Sequence, residues 1–209
     1  MTTIPEVAVM MGDLQPTFLV AAFEARRVAV DIETTGLDWR SDQIGTVQVH
    51  VPEHETAIVR TTESRPHRLI ELMVSARVQK VFHHAPFDLR FMAYHWGLRP
   101  VNVADTKLVS QILNPSVDHK NHSLAPLVKR YFGVILDKSV RFTDWLSEDL
   151  TNEQLTYAAQ DVRYLLPLLD ILTKTAIVEG VADLVEASYA YLPTRIATDL
   201  RGCDDVFSY

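Results

Sequence analysis

Val28-Ala29-Val30-Asp31-Ile32-Glu33 is an apolar run that ends in two acids one residue apart. Side chains at i and i+2 of a strand leave from the same face, so on a strand both carboxylates point one way. Glu33-Thr34-Thr35-Gly36-Leu37 then reads as the exit turn, with Gly36 supplying the flexible point. A buried strand that delivers two acids at its end is the feature around which the remaining pattern arranges itself.

Working outward, Ile44 to His50 alternates apolar and polar residues, the signature of a half-buried strand, and a short strand follows at Thr56 to Val59. Arg68 to Ser75 places Leu69, Leu72 and Met73 at helical spacing. Lys80-Val81-Phe82 reads as a strand, followed by a loop through Pro86 and a helix carrying Leu89, Met92 and Ala93. A strand near Val101 to Ala104 and a helix from Thr106 to Leu113 complete the alternating part. Strands in succession, then strand–helix alternation, predict an α/β fold with a mixed sheet flanked by α-helices.

The last third is helical. Thr151-Asn152-Glu153-Gln154 has the form of a capping box, and Leu155, Ala158, Ala159, Val162, Leu165 and Leu166 make an apolar stripe behind it. Pro167 lacks an N–H donor and clashes with the preceding turn, so it should kink or divide this helix. Tyr157 and Asp161 lie four apart, as neighbours on one helical face.

The chain has 209 residues, 47% of them hydrophobic and 22% charged, enough for one domain with a sizeable core and no second domain of full size. One cysteine, Cys203, excludes an internal disulfide and fits a reducing cytoplasm. The N-terminus shows no signal-peptide pattern, and no apolar stretch approaches a membrane span, so a soluble protein is expected. A formal charge of −7 argues against gripping long nucleic acid through a broad basic surface. Two bound divalent ions would bring −7 to −3 and place positive charge where a phosphate approaches.

Asp31, Glu33, Asp88 and Asp161, with Tyr157, are the residues that carry chemistry. Phosphodiester hydrolysis needs a nucleophile at neutral pH and a sink for charge on the phosphoryl and leaving oxygens. Two cations roughly 3.5–4 Å apart supply both. Mg²⁺ and Mn²⁺ prefer oxygen ligands, which makes carboxylates the appropriate side chains. Tyrosine, with an ordinary pKa of about 10, suits aiming a water better than deprotonating it. Taken singly, each element has a plainer reading: an Asp-x-Glu at a solvated strand end, Asp88 as a helix cap, Tyr157 and Asp161 as helix surface.

The ordered combination resembles the DEDD superfamily of 3′-to-5′ exonucleases, in the branch with tyrosine in its third motif. Asp31-Ile32-Glu33 matches motif one, His84-Ala85-Pro86-Phe87-Asp88 motif two, and Tyr157-Ala158-Ala159-Gln160-Asp161 motif three. Leu136 to Ser139, Thr143 to Leu146, and Tyr157 through Pro167 resemble the catalytic domain of ribonuclease D. The length, the opening Met11-Gly12-Asp13-Leu14, and the ending Tyr191 to Arg195, Asp199-Leu200 and Asp205 to Phe207 resemble the nanoRNase C family instead. Thr35, and the segment Asn114 to Ser123, depart from that pattern.

The resemblance implies a ribonuclease H-like fold over 1–209, one exonuclease domain without accessory nucleic-acid-binding domains. It implies two divalent ions, Mg²⁺ or Mn²⁺, on Asp31, Glu33, Asp88 and Asp161, with Tyr157 orienting the water. Thr34, Gly36, Leu37 and His84 would meet substrate, Leu37 as an apolar wedge against a base. The expected substrate is short single-stranded RNA down to dinucleotides, and the expected assembly a homo-oligomer, a ring-like octamer. His83 is read as structural, Trp145 as a packing anchor, and Phe207 and Tyr209 as a frayed tail or intersubunit anchors. Lys138 and Arg141 are either phosphate-attracting or solvated. A DNA-directed exonuclease and a catalytically inactive nucleic-acid-binding module are the alternatives. An aspartyl-phosphate phosphatase fits poorly, because Glu33 stands where a second Asp is normal.

Overall fold

The computed structural model describes residues 7–137, 140, 143–203 and 205–208. Lys138, Arg141 and Tyr209, for which roles are considered above, lie outside the described residues. Among the described residues six strands form one sheet: β1 (Val7–Met11), β2 (Arg27–Thr34), β3 (Ile44–His50), β4 (Thr56–Arg60), β5 (Gln79–Phe82) and β6 (Val103–Asp105). Their spatial order is β1-β4-β3-β2-β5-β6. β2, β3 and β4 form an antiparallel meander, while β5 and β6 continue parallel to β2, and β1 runs parallel to β4. The expected mixed sheet is present, and helices pack against it.

The helices are α1 (Pro16–Ala25), α2 (His67–Val74), α3 (Ala85–Trp96), α4 (Thr106–Leu113), α5 (Leu124–Phe132), α6 (Asn152–Arg163), α7 (Leu165–Val178) and α8 (Ala182–Leu200). Along β2, alternation puts Asp31 and Glu33 on one face, and Val28, Val30 and Ile32 on the other, where all three are buried. β3 departs from the half-buried expectation. Its polar Thr46 and Gln48 are as buried as Val47 and Val49, because α6 lies across β2, β3 and β4 and covers that face. The two polar side chains satisfy each other in part: Gln48 Nε2 donates to Thr46 Oγ1 at 2.7 Å.

Two prolines mark helix starts. Pro86 belongs to the first turn of α3 rather than to a loop, a position where its missing N–H costs nothing. The α6–α7 break falls at Tyr164, three residues before Pro167, since a proline ring collides with the carbonyl four residues back, here Arg163. α6 opens with the expected capping box: Thr151 Oγ1 accepts from Gln154 N–H at 3.2 Å, and Gln154 Oε1 accepts from Thr151 N–H at 2.9 Å.

Because β2, β5 and β6 are parallel, their C-terminal ends open on one edge of the sheet. There β2 runs into the Thr34–Leu37 turn, β5 into His83, His84 and α3, and β6 into α4. That edge is where ligands of open α/β sheets bind.

Candidate active site

At this edge lies a cavity of about 410 Å³. Asp31, Glu33, Asp88, Tyr157 and Asp161 all line it, and so do Thr34, Gly36, Leu37 and His84. The nine metal, catalytic and substrate residues expected from the resemblance therefore meet at one place, while Lys138 and Arg141 lie outside the described residues. Asp31, Glu33 and Asp161 each present a carboxylate oxygen within 4.8 Å of the other two. Asp88 stands apart from this trio. It sits in the first turn of α3, is 2% exposed, and its Oδ1 accepts from the Ile32 N–H at 3.1 Å, so it is tied to the backbone of β2 between the two motif acids. It is no N-cap for α3, whose N-cap is His84.

Electrostatics follow from the crowding. Burial, and after it the Asp31 carboxylate, hold Asp88 well above the ordinary carboxylate range, with backbone N–H bonds pulling the other way. Tyr157 is pushed far up by burial first, then by Asp161, Glu33 and Asp31, so it remains a phenol at neutral pH. His84, though its side chain reaches solvent, is lowered to about 4 by desolvation, then by Lys107 and Arg90, and is neutral at pH 7. The donor set fits a divalent ion: three oxygens of hard, charged ligands converge on one point, and their mutual repulsion is what such an ion relieves.

The turn after β2 is pre-shaped. Thr34 Oγ1 donates to Gly36 O at 2.6 Å, and a Cβ on Gly36 would meet the Asp42 carboxylate, so a larger residue there must push aside a side chain that accepts from the Asp38 N–H at 2.9 Å. Beyond it Leu37 is 74% exposed at the cavity rim. Five further lining residues carry no assignment from the sequence: Phe87, Lys107, Ser123, Leu124 and Thr143. Phe87 and Lys107 had a usable signal, since each lies in the first turn of a helix following a parallel strand. His83 both lines the cavity and bonds Thr106 Oγ1 through Nδ1 at 2.9 Å.

Trp145, 1% exposed, packs near the Tyr157 ring with centroids 6.1 Å apart, as an anchor rather than an open stacking platform. The segment it anchors is also held by Gln154, whose Nε2 donates to Thr143 Oγ1 at 2.9 Å and Asp144 O at 3.0 Å. The Arg60 guanidinium donates to Ser147 O and Glu148 O. Thr143 is thereby held at the cavity wall.

Residues 15–177, a span that contains every motif residue, match the model of the family described as 3′-5′ exonuclease. Ribonuclease D of Haemophilus influenzae is 31% identical over 149 residues, covering 70% of this chain and 36% of that protein. The chain spans less than half the length of the first curated relatives it matches, 36–46% of each. The structure of Brucella melitensis NrnC bound to pGG superposes with a TM-score of 0.90 at 28% identity, covering 98% of this chain and 99% of that one. The same protein with bound Mg²⁺ gives 0.88 at 28% identity, with the same coverage. Among the described residues no helix is long and apolar enough to cross a membrane. On the family match and the motif residues gathered at the cavity, the chain belongs to the 3′-5′ exonuclease family, in its tyrosine branch and in the ribonuclease D group.

Proposed function

We propose that this chain is a divalent-metal-dependent 3′-to-5′ exoribonuclease that shortens single-stranded oligoribonucleotides, down to dinucleotides, and releases nucleoside 5′-monophosphates. The observation that carries the reading is the convergence of Asp31, Glu33 and Asp161 within 4.8 Å, in a cavity that Asp88 and Tyr157 also line. The cavity falls in the size range, roughly 300–1,000 Å³, that takes a small molecule or a strand end rather than a duplex. The pGG and Mg²⁺ held by Brucella NrnC support the same substrate and cofactor class.

Asp31, Glu33, Asp161 and Asp88 would hold two ions, Mg²⁺ or Mn²⁺, which supply charge neutralisation at the phosphate and acidify the attacking water. The chain's own residues do the rest. Tyr157, kept protonated by its surroundings, hydrogen-bonds the attacking water and aims it, without accepting its proton. His84, neutral at pH 7, donates one imidazole N–H to a phosphate or sugar oxygen. Leu37, exposed at the rim, packs against the terminal base, and the Thr34–Gly36 turn shapes the floor under the sugar. Lys107 brings a cation to a cavity whose other charged lining residues are the acids Asp31, Glu33, Asp88 and Asp161.

A time course on 5′-labelled RNA and DNA strands of two to twenty nucleotides tests the reading. Stepwise shortening from the 3′ end, with accumulation of 5′-monophosphates and turnover favouring the shortest RNA, is the expected result. Equal or better turnover of long DNA would move the assignment to a DNA exonuclease, and no turnover with either cation would remove the activity. The expected homo-oligomer, an octameric ring, is tested separately by light scattering coupled to size exclusion.

A further inference from the structure

His84 is an unusual helix N-cap. Its backbone is left-handed, with φ 73° and ψ 48°, whereas N-cap residues ordinarily sit in the extended region. A non-glycine residue in that conformation is strained and persists only when its surroundings impose it. His84 makes no side-chain cap for α3, so the first N–H groups of that helix need another acceptor.

Asp105 is that acceptor, and it comes from a different strand. Its Oδ2 accepts from Ala85 N–H at 2.9 Å and its Oδ1 from His84 N–H at 3.0 Å. The same Oδ1 accepts from Lys107 N–H at 2.8 Å and Leu108 N–H at 3.2 Å, the ordinary N-cap pattern of its own helix α4. One carboxylate, 2% exposed, thus caps two helices at once. Both helices deliver side chains to the cavity: His84, Phe87 and Asp88 at the start of α3, and Lys107 at the start of α4.

We infer that Asp105 is a positioning residue for the active site, which holds His84 in its left-handed conformation and so fixes where α3 begins relative to β2. This rests on the proposed function for its consequence, since α3 carries Asp88 to the Ile32 N–H on β2. The two arms of the carboxylate are separable. Serine at 105 is a good N-cap for α4 but is too short to reach across to Ala85. Glycine at 84 adopts the left-handed conformation without needing to be held there.

The test compares Asp105→Ser and Asp105→Asn in two backgrounds, wild type and His84→Gly, with two readouts. Amide exchange followed by NMR, without substrate, should show the His84 and Ala85 N–H groups exchanging at least tenfold faster in Asp105→Ser, while Lys107 and Leu108 stay protected. Hydrolysis of a short oligoribonucleotide should fall at least tenfold in kcat/KM in the wild-type background, and less than threefold further when His84→Gly is already present. Equal losses in both backgrounds would mean a merely structural carboxylate and overturn the inference. Protection at His84 and Ala85 matching wild type would overturn it as well. Exchange is read whether or not the chain hydrolyses RNA, so this arm decides the inference even if the proposed function fails. Should Asp105→Asn not fold, Asp105→Ser carries both readouts alone.

Discussion

Gly45→Ala adds a single methyl group in β3, and the structure says where it goes. The new Cβ would lie 2.7 Å from both Cβ and O of Trp145, and 2.9 Å from its carbonyl carbon. Two of these three atoms are backbone, so no rotamer change relieves the contact. Carbon atoms prefer about 3.5–4.0 Å, and the Trp145 segment must therefore retreat by nearly 1 Å. Overpacking of this kind costs about 1–3 kcal/mol. If the segment instead lifts away and exposes Trp145, the loss approaches the burial of a large aromatic side chain, about 4–6 kcal/mol at 25 cal/mol per Å². Against either stands the gain of about 0.4–1 kcal/mol from a less flexible unfolded chain. The balance is destabilising, by about 1–2 kcal/mol for the small retreat. For a chain of this size that lowers Tm by about 2–8 °C. Because Trp145 packs near Tyr157 and its segment carries Thr143, the rate of hydrolysis should fall together with Tm. Calorimetry and a hydrolysis assay well below Tm check both. A Tm equal to or above wild type, with an unchanged rate, would refute the packing argument.

Three further outcomes are expected. Tyr157→Phe should lower kcat by about 10² to 10⁴, the range for a positioned proton-handling group, with KM little changed, and a wild-type rate would remove the hydroxyl from the mechanism. Mn²⁺ at a hundred times its Kd should stabilise the wild type by about 2.7 kcal/mol, hence raise Tm by about 5–10 °C, whereas Asp161→Asn should lose most of that shift; coincident melting curves with Mn²⁺ and with chelator would count against the carboxylate site. Lys80, wholly buried, donates through Nζ to Ser75 O at 2.6 Å and Val78 O at 2.8 Å, and desolvation lowers its pKa from 10.5 to about 8. Between those values the unfolded chain binds the proton and the folded chain does not. Stability therefore rises with pH across that window, by about 3 kcal/mol relative to Lys80→Met. Parallel urea-denaturation curves for the two proteins from pH 7.5 to 10.5 would contradict it.

What was legible in the sequence depended on how local its cause was. β3 and α4 begin and end where alternation and helical spacing place them, and the Thr151 cap is a four-residue pattern read in place. β1 was not read: Val7–Met11 is a short edge strand paired with Thr56–Arg60, some fifty residues on. Its identity as a strand comes from that distant partner. α1 carries apolar residues on more than one face, with Phe18, Leu19, Ala21 and Ala22 all buried, so its periodicity is weak. α5 follows a short 3₁₀ turn, His119–His122, in the segment whose pattern departed from the resembled family. That turn is docked by His122 against Ser110 of α4, and it leads straight to Ser123 and Leu124 at the cavity.

The same division runs through the site. Asp31 with Glu33, and Tyr157 with Asp161, each share a face for reasons of strand or helix period, and both pairs were visible as pairs. Asp88 reaches them only because β5 lies beside β2, and its bond to the Ile32 N–H is a tertiary contact with no local trace. The remaining lining residues Phe87, Lys107, Ser123, Leu124 and Thr143 likewise come from four places in the chain. Asp105 shows the limit most plainly. As an acid before a helix it reads as an ordinary N-cap, while its hold on a second helix, twenty residues earlier, exists only in three dimensions.

Anomalous scattering from crystals grown with Mn²⁺ and a short oligoribonucleotide locates the ions themselves. Strong manganese peaks are expected within the carboxylates of Asp31, Glu33, Asp161 and Asp88, with the scissile phosphate beside them, and loss of the peak nearest Asp161 in Asp161→Asn. Saturating Mn²⁺ that leaves this point empty, while the oligonucleotide binds elsewhere on the chain, would contradict the carboxylate site.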